Sequence, residues 1–179
     1  MTSSGGYQNL IAYQLAVQIF DLTNMFCKRY INLSSRTYDQ MIQAARSGKQ
    51  NIVEGSLSKS TESLIKLTSV ARASFGELLE DYKDFLRAFD LELWTKEDNR
   101  VKLIRLIKTN KSNWTNSSYR PYLNSKESFS NLMITLCYKE SFLLDRLLEA
   151  WLTKFIKEGG FRENLYKRRI EYKSRQLKT

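Results

Sequence analysis

From Leu64 to Phe89, apolar residues return at intervals of three and four: Leu64, Leu67, Ala71, Phe75, Leu78, Tyr82, Phe85 and Phe89. That rhythm marks one face of an α-helix, sustained for about seven turns or roughly 40 Å. A helix of this length with one apolar stripe has to cover that stripe with other helices. The chain supplies them, because only one proline and seven glycines interrupt 179 residues.

An earlier helix is predicted from about Tyr7 to Tyr30, with Ile11, Leu15, Ile19, Leu22 and Phe26 on one face and Tyr13, Val17 and Phe20 on a second. "INLSSR" breaks the pattern. Thr37 with Gln40 then reads as a capping box opening a second helix, whose inward row is Tyr38, Met41, Ala45, Gly48 and Ile52. "SLSKST" ends it, and Ser60 caps the long helix already described. A short helix is predicted from Thr95, with Asp98 in its first turn, to about Lys108. An Asn- and Ser-rich loop follows to Asn124 and holds Pro121. Ser125 caps a last long helix through Phe129, Met133, Leu136, Leu143, Leu147, Trp151 and Phe155, ending at Gly159-Gly160.

Helices joined by short turns favour antiparallel neighbours. The expected fold is therefore all-α: an up-down antiparallel four-helix bundle over residues 1–160, with a helix-and-loop insert at about 91–124 and a basic tail over 161–179. The second stripe on the first helix, and the wide stripe Leu143, Leu144, Leu147, Leu148, Trp151 and Leu152 on the last, exceed what one bundle core requires. Self-association is the expected use of that surplus.

The stretch "QAARSGKQNIVEGS" (residues 43–56) carries a Gly-Lys pair but is no phosphate loop. A Walker motif needs glycine where Gln43 stands and Ser or Thr where Gln50 stands. It reads instead as packing. Ala45, Gly48 and Ile52 share a face on which small residues admit a close neighbour, offsetting the helix cost of glycine. Asn51 and Glu54 sit near the helix end and are expected to bond backbone groups of the adjoining turn, with Gly55 as the C-cap.

Followed at a short interval by "VARASFGELLEDYKDFL", this stretch resembles a four-helix-bundle family of small bacterial proteins. That family includes proteins encoded by intervening sequences in ribosomal RNA genes and the accessory variability determinant of diversity-generating retroelements. The shared pattern falls on Gln40, Ala44, Ala45, Ser47, Asn51, Ile52, Glu54 and Gly55, then on Ala71, Ser74, Glu77 and Leu78. It departs at Gly48, Lys49 and Gln50, where the commonest members carry an Ile-Pro-Ser-like triplet. The insert and the ending "FIKEGGFRENLYKRR" are similar to a longer branch of that family, the four helix bundle suffix domain proteins. The resemblance implies a ring-like homo-pentamer and a nucleic-acid-linked accessory role, with a reverse transcriptase-like enzyme as a protein partner.

No histidine is present, which removes His-based acid–base catalysis, Ser-His triads and Glu-x-x-His metal sites. Glu77, Glu80, Asp81 and Asp84 cluster on the third helix, where ion pairing with Arg46, Arg72 or Arg87 across helices, or solvation at a surface, is the expected role. Cys27 and Cys137 lie in apolar stretches and read as reduced packing residues. Neither catalytic residues nor a metal or other cofactor are expected. No signal peptide and no membrane-length apolar run are seen, so a cytoplasmic location is expected.

The charge is the positive lead. The net charge is +10. Cations against anions number ten to nine in residues 1–90, seven to three in 91–124, five to five in 125–160 and seven to two in 161–179. In the insert, Arg100, Lys102, Arg105, Lys108, Lys111 and Arg120 accompany Trp114, Tyr119 and Tyr122. In the tail, Lys167, Arg168, Arg169, Lys173, Arg175 and Lys178 accompany Tyr166 and Tyr172. Cations beside aromatics suit single-stranded RNA or DNA, whose bases stack while phosphates pair with charge. Two functions therefore stand: a homo-oligomeric accessory protein that binds nucleic acid, or a protein-interaction scaffold whose basic segments dock an acidic partner.

Overall fold

The computed structural model of the chain describes residues 6–109 and 117–176. They form six α-helices: α1 (Ile11–Tyr30), α2 (Arg36–Leu57), α3 (Thr61–Ala88), α4 (Asn99–Leu106), α5 (Lys126–Glu158) and α6 (Phe161–Gln176). Short 3-10 turns lie at Gly6–Asn9 and Ser117–Leu123, and no strand occurs among the described residues. The all-helical class expected from the periodicity is what forms.

Side-chain caps set most of the boundaries. Ser60 Oγ accepts from Ser63 N, and Ser125 Oγ from Ser128 N, at the two positions expected. The capping box expected at Thr37 does not open α2. Ser35 Oγ accepts from Thr37 N at 3.2 Å, so the helix begins earlier and Thr37 lies within its first turn. Likewise α4 begins beneath Asp98, whose carboxylate accepts from Arg100 N at 2.7 Å, and Thr95 lies outside it. Gly159, with φ of 75°, ends α5 in the left-handed region that favours glycine.

The long helices contact one another around a closed cycle. α1 meets α2 and α5, α3 meets the same two, and α4 lies on α5. Ser47 meets Ser74 at 3.0 Å while Gly55 lies against Leu64 and Leu67, so α2 and α3 run in opposite directions. At the centre the Phe26 ring sits edge-on to Tyr82, Phe85 and Phe129, with centroids 5.0, 4.9 and 5.3 Å away. The buried Tyr82 hydroxyl donates to Thr23 Oγ1 at 3.0 Å, as a phenol in a core requires. Both cysteines are free and buried, and burial pushes the Cys27 thiol up to about 12.

Gly48 is explained by its neighbour. A Cβ there would stand 2.6 Å from the ring of buried Phe75, so a side chain of α3 takes the space rather than its backbone. Two expectations nearby fail. Gly55 is a buried position inside α2, and Ser58 is the C-cap. Asn51 Nδ2 donates to Ser47 O of its own helix at 2.8 Å, and Glu54 is exposed.

The insert is not an appendage. Every residue from Phe129 to Cys137 is buried, because the segment from Leu91 to Ile107 covers the outer side of α5. Asn131 clamps it there. Its Oδ1 accepts from Trp94 N, and its Nδ2 donates to Glu92 O, both at 2.8 Å. Val101 and Ile104 of α4 close the same face.

Beyond Leu144, α5 outruns this cover. Leu143, Leu147, Leu148 and Trp151 are half-buried, while Leu152 and Ile156 are exposed. The α3 carboxylates pair only in part: Glu80 with Lys83 and Asp84 with Arg87, both at 2.8 Å. Arg72 reaches Asp145 of α5 instead, and no ion pair among the described residues involves Glu77 or Asp81. None of the described helices is long and apolar enough to cross a membrane.

Candidate nucleic-acid interface

The apolar residues Val101 and Ile104 turn one side of α4 into the body, which forces its cations outward. Lys102, Arg105 and Lys108 are exposed, and no ion pair joins them to an acid among the described residues. The end of α4 is tied down by Lys139 of α5, whose Nζ donates to Ile107 O at 2.8 Å. Burial lowers the Lys139 ammonium's pKa, against a smaller raising effect of Glu140.

Between α4 and α5 lies a groove of about 460 Å³. Val101, Ile134 and Trp94 give it an apolar floor; Thr95 and Thr135 add hydroxyls; Lys96, Arg105 and Tyr138 stand at its edge. Tyr138 is 48% exposed, so the residue is partly open to solvent at the groove edge. Lys83 of α3 lies 5.4 Å from its ring centroid. Lys83 is paired with Glu80 and Lys96 lies 3.7 Å from Glu97, so Arg105 is the groove cation without an ion pair among the described residues. With a half-exposed aromatic residue and a slot large enough for a base, it makes a combination that suits an unpaired nucleotide.

Several expected contacts are engaged elsewhere. Arg100 forms a fork with Asp98 at 2.7 Å, approaches Glu92 at 3.7 Å and stacks 3.8 Å from the Trp94 ring centroid. Its hydrogen bond to Asp98 raises the guanidinium's pKa and lowers that of the carboxylate. Arg100 therefore holds the loop before α4 and is neutralised locally, contrary to the expectation of a phosphate contact. Tyr119 is also corrected. It is buried, its hydroxyl donates to Gln18 Oε1 at 3.2 Å, and burial pushes the phenol up to about 12. Arg120 is exposed beside it. Lys111 and Trp114 lie outside the described residues, as does Lys178.

Residues 161–176 of the tail form α6, and none of them is buried. Arg168, Arg169, Lys173 and Arg175 are exposed, and Lys167 pairs with Glu163 at 2.8 Å. The two basic segments do not converge within one chain. α4 packs beside Lys139, and α6 starts more than twenty residues further along the same helix axis, roughly 30 Å away.

Tyr138, Lys96 and Lys83 were not singled out in the sequence. Tyr138 does carry a signal, because it follows the inward row Met133 and Leu136 at an offset that places an aromatic on the outside. Lys96 and Lys83 carry none, since only the return of the insert onto α5 brings Lys96 near it and only the packing of α3 on α5 brings Lys83 there. The structural motif residues Ala45, Gly48, Asn51, Gly55 and Ser74 serve the α2–α3 contact, and Glu77 lies at the rim of a second groove there. Compared with protein-family profiles, with curated proteins and with solved structures, the chain matches none.

Proposed function

We propose that this chain is a non-enzymatic, self-associating four-helix bundle of α1, α2, α3 and α5 that binds single-stranded nucleic acid along α4 as an accessory factor. The observation that carries the reading is the α4–α5 groove. Arg105 lines it beside half-exposed Tyr138, and Lys102 and Lys108 add exposed cations along and just beyond α4, none of the three in an ion pair among the described residues. Phosphates pair with the cations and one base stacks on Tyr138. Such contacts act through their number and are indifferent to sequence.

Fluorescence anisotropy with a labelled single-stranded RNA, and a DNA of the same length, tests this across a salt series. Wild-type protein is expected to bind at low salt with little sequence preference. Reversing Lys102, Arg105 and Lys108 to Glu should flatten the log–log salt slope by about 2, the share of three phosphate contacts on a single strand. Tyr138→Ala should weaken binding by about 1–3 kcal/mol without changing that slope. Absence of binding at low salt, or a triple variant with the wild-type slope, would overturn the reading.

The scaffold reading is favoured by a different feature. Phe161, Leu165 and Tyr172 of α6 are exposed, on a helix none of whose described residues is buried.

A further inference from the structure

The side chains of α6 are sorted around its axis. At the helical repeat, Phe161, Leu165 and Tyr172 align in one stripe. Arg168 borders the stripe on one side, and Arg162, Arg169 and Lys173 border it on the other. Of the two acids of the helix, Glu163 falls opposite the stripe and pairs with Lys167, while Glu171 falls on the flank beyond Arg168, as far from the stripe as Lys173 is on the other side. The stripe is thus flanked by cations on both sides, while Tyr166 and Ile170 are exposed on the opposite face. Such a pattern suits an acidic groove better than open water.

The same molecule contains that groove. Between α2 and α3 lies a depression of about 590 Å³ with Ala44, Ser47 and Ser74 at its base. Asp39, Glu77 and Asp81 line it against one cation, Arg36, and no ion pair involves any of these four among the described residues. The Asp81 carboxyl is pushed up to about 6 by burial first, then by Asp84 and Glu77. Its surroundings hold more negative charge than they neutralise.

A chain's own α6 is placed away from its own groove. α6 starts beside Glu62 at the beginning of α3, where Phe161 N donates to that carboxylate at 3.5 Å. Asp81 lies nineteen residues further along α3, roughly 28 Å distant. α6 is not among the principal helix contacts of the body. The cationic face and its acidic complement are therefore displayed at different places on one molecule, which is the arrangement of a head-to-tail contact.

We propose that α6 of one copy lies in the α2–α3 groove of a second copy, with its apolar stripe on the groove base and its flanking cations against Asp39, Glu77 and Asp81. The inference goes beyond the nucleic-acid reading, since docking through α6 leaves α4 facing outward. Each chain donates one helix and accepts one, so the association closes into a ring or extends as a filament according to the angle between copies.

Two full-length variants with substitutions at exposed positions test it: Asp39→Lys/Glu77→Lys in the groove, and Arg168→Glu/Arg169→Glu/Lys173→Glu on α6. By light scattering at low salt, wild type is expected above monomer mass, and each variant alone at monomer mass with unchanged helicity. Mixing the two variants should restore association, because each mixed contact pairs opposite charges. A monomeric wild type, a variant that keeps the wild-type mass, or a folded mixture that stays monomeric would overturn the proposal. Carbodiimide cross-linking of mixed light and heavy-isotope wild type provides a readout free of substitutions. Lys173 joined to Asp39 or Glu77 between copies is expected, and absence of any such mixed peptide would likewise overturn it. Loss of assembly with intact RNA binding separates failure here from failure of the α4 reading.

Discussion

Glu140 is fully buried, and neither of its carboxyl oxygens has a hydrogen-bond partner among the described residues. Burial raises its pKa well above the ordinary value, and neighbouring Lys139 offsets only part of that rise. A carboxyl in this position is held as the neutral acid, because an isolated buried charge costs far more than a proton. In the unfolded chain the group ionises near its ordinary value of 4.5, so folding at neutral pH takes up a proton. The resulting penalty is absent below that value and grows as pH rises, until the folded group itself ionises. Glu140→Gln should therefore match wild type near pH 4 and gain on it by up to about 1.4 kcal/mol per pH unit above pH 5. Glu140→Met also removes the unpaired polar group, and should add about 1–3 kcal/mol at pH 7. Denaturant titrations at several pH values check both, and a gap that does not widen with pH would refute the neutral-acid account. Nothing in the sequence around Glu140 marks it. The glutamate falls on the inner side of α5 only because the helix is enclosed there.

At the scale of elements, α2 and α3 were the most legible pair. Of their expected inward rows, Met41, Ala45, Gly48, Ile52, Ala71, Phe75, Leu78, Tyr82 and Phe85 are buried, Tyr38, Leu64 and Leu67 are half-buried, and Phe89, at the C-cap of α3, is exposed. Their period survives because each helix has one covered side. Gly48 shows how close the fit is. Alanine there normally gains up to about 1 kcal/mol of helix propensity. Here its Cβ meets the enclosed Phe75 ring at 2.6 Å, and overpacking of that kind typically costs about 1–3 kcal/mol. Gly48→Ala should lower the melting temperature, and Gly48→Ala/Phe75→Leu should recover part of the loss, as the smaller side chain yields the space. A single variant that melts higher than wild type would show that the ring moves freely. The first half of α5 was less legible for the opposite reason. A helix covered on every side has no single stripe, and polar Ser130, Asn131 and Thr135 look exterior until the insert is in place. Asn131 holds Trp94 and Glu92 across 37 and 39 residues, a pairing no local pattern encodes. The candidate site shares this limit. Lys102, Arg105 and Lys108 are visible as an amphipathic run, but Arg100 shares that run and is consumed by Asp98.

The molecule as a whole is basic, yet its charge is arranged rather than spread. The α4 and α6 patches are roughly 30 Å apart along α5, several Debye lengths at physiological salt, so they act as separate surfaces. Asp81 lies at the junction between folding and assembly, and it pulls the two in opposite directions. It faces Glu77 and Asp84 on α3, Asp39 and Arg36 across the groove on α2, and the Cys27 thiol on α1. With its folded pKa raised to about 6 from 3.8, the isolated chain is favoured by the protonated form and loses stability as pH rises through that window. Asp81→Asn should therefore stabilise the dissociated chain at pH 7, by about 1 kcal/mol once solvent screening is allowed for. A docked cationic helix reverses the preference, because the ionised carboxylate is then the form that binds. The same substitution should weaken assembly several-fold, and wild-type assemblies should shed mass as pH falls from 7 to 5. Thermal melts of dilute protein and light scattering of concentrated protein measure the two effects separately. If Asp81→Asn raised both the melting temperature and the assembled mass, Asp81 would be an obstacle to association rather than a contact in it, and the groove would need a neutral or acidic partner instead of α6.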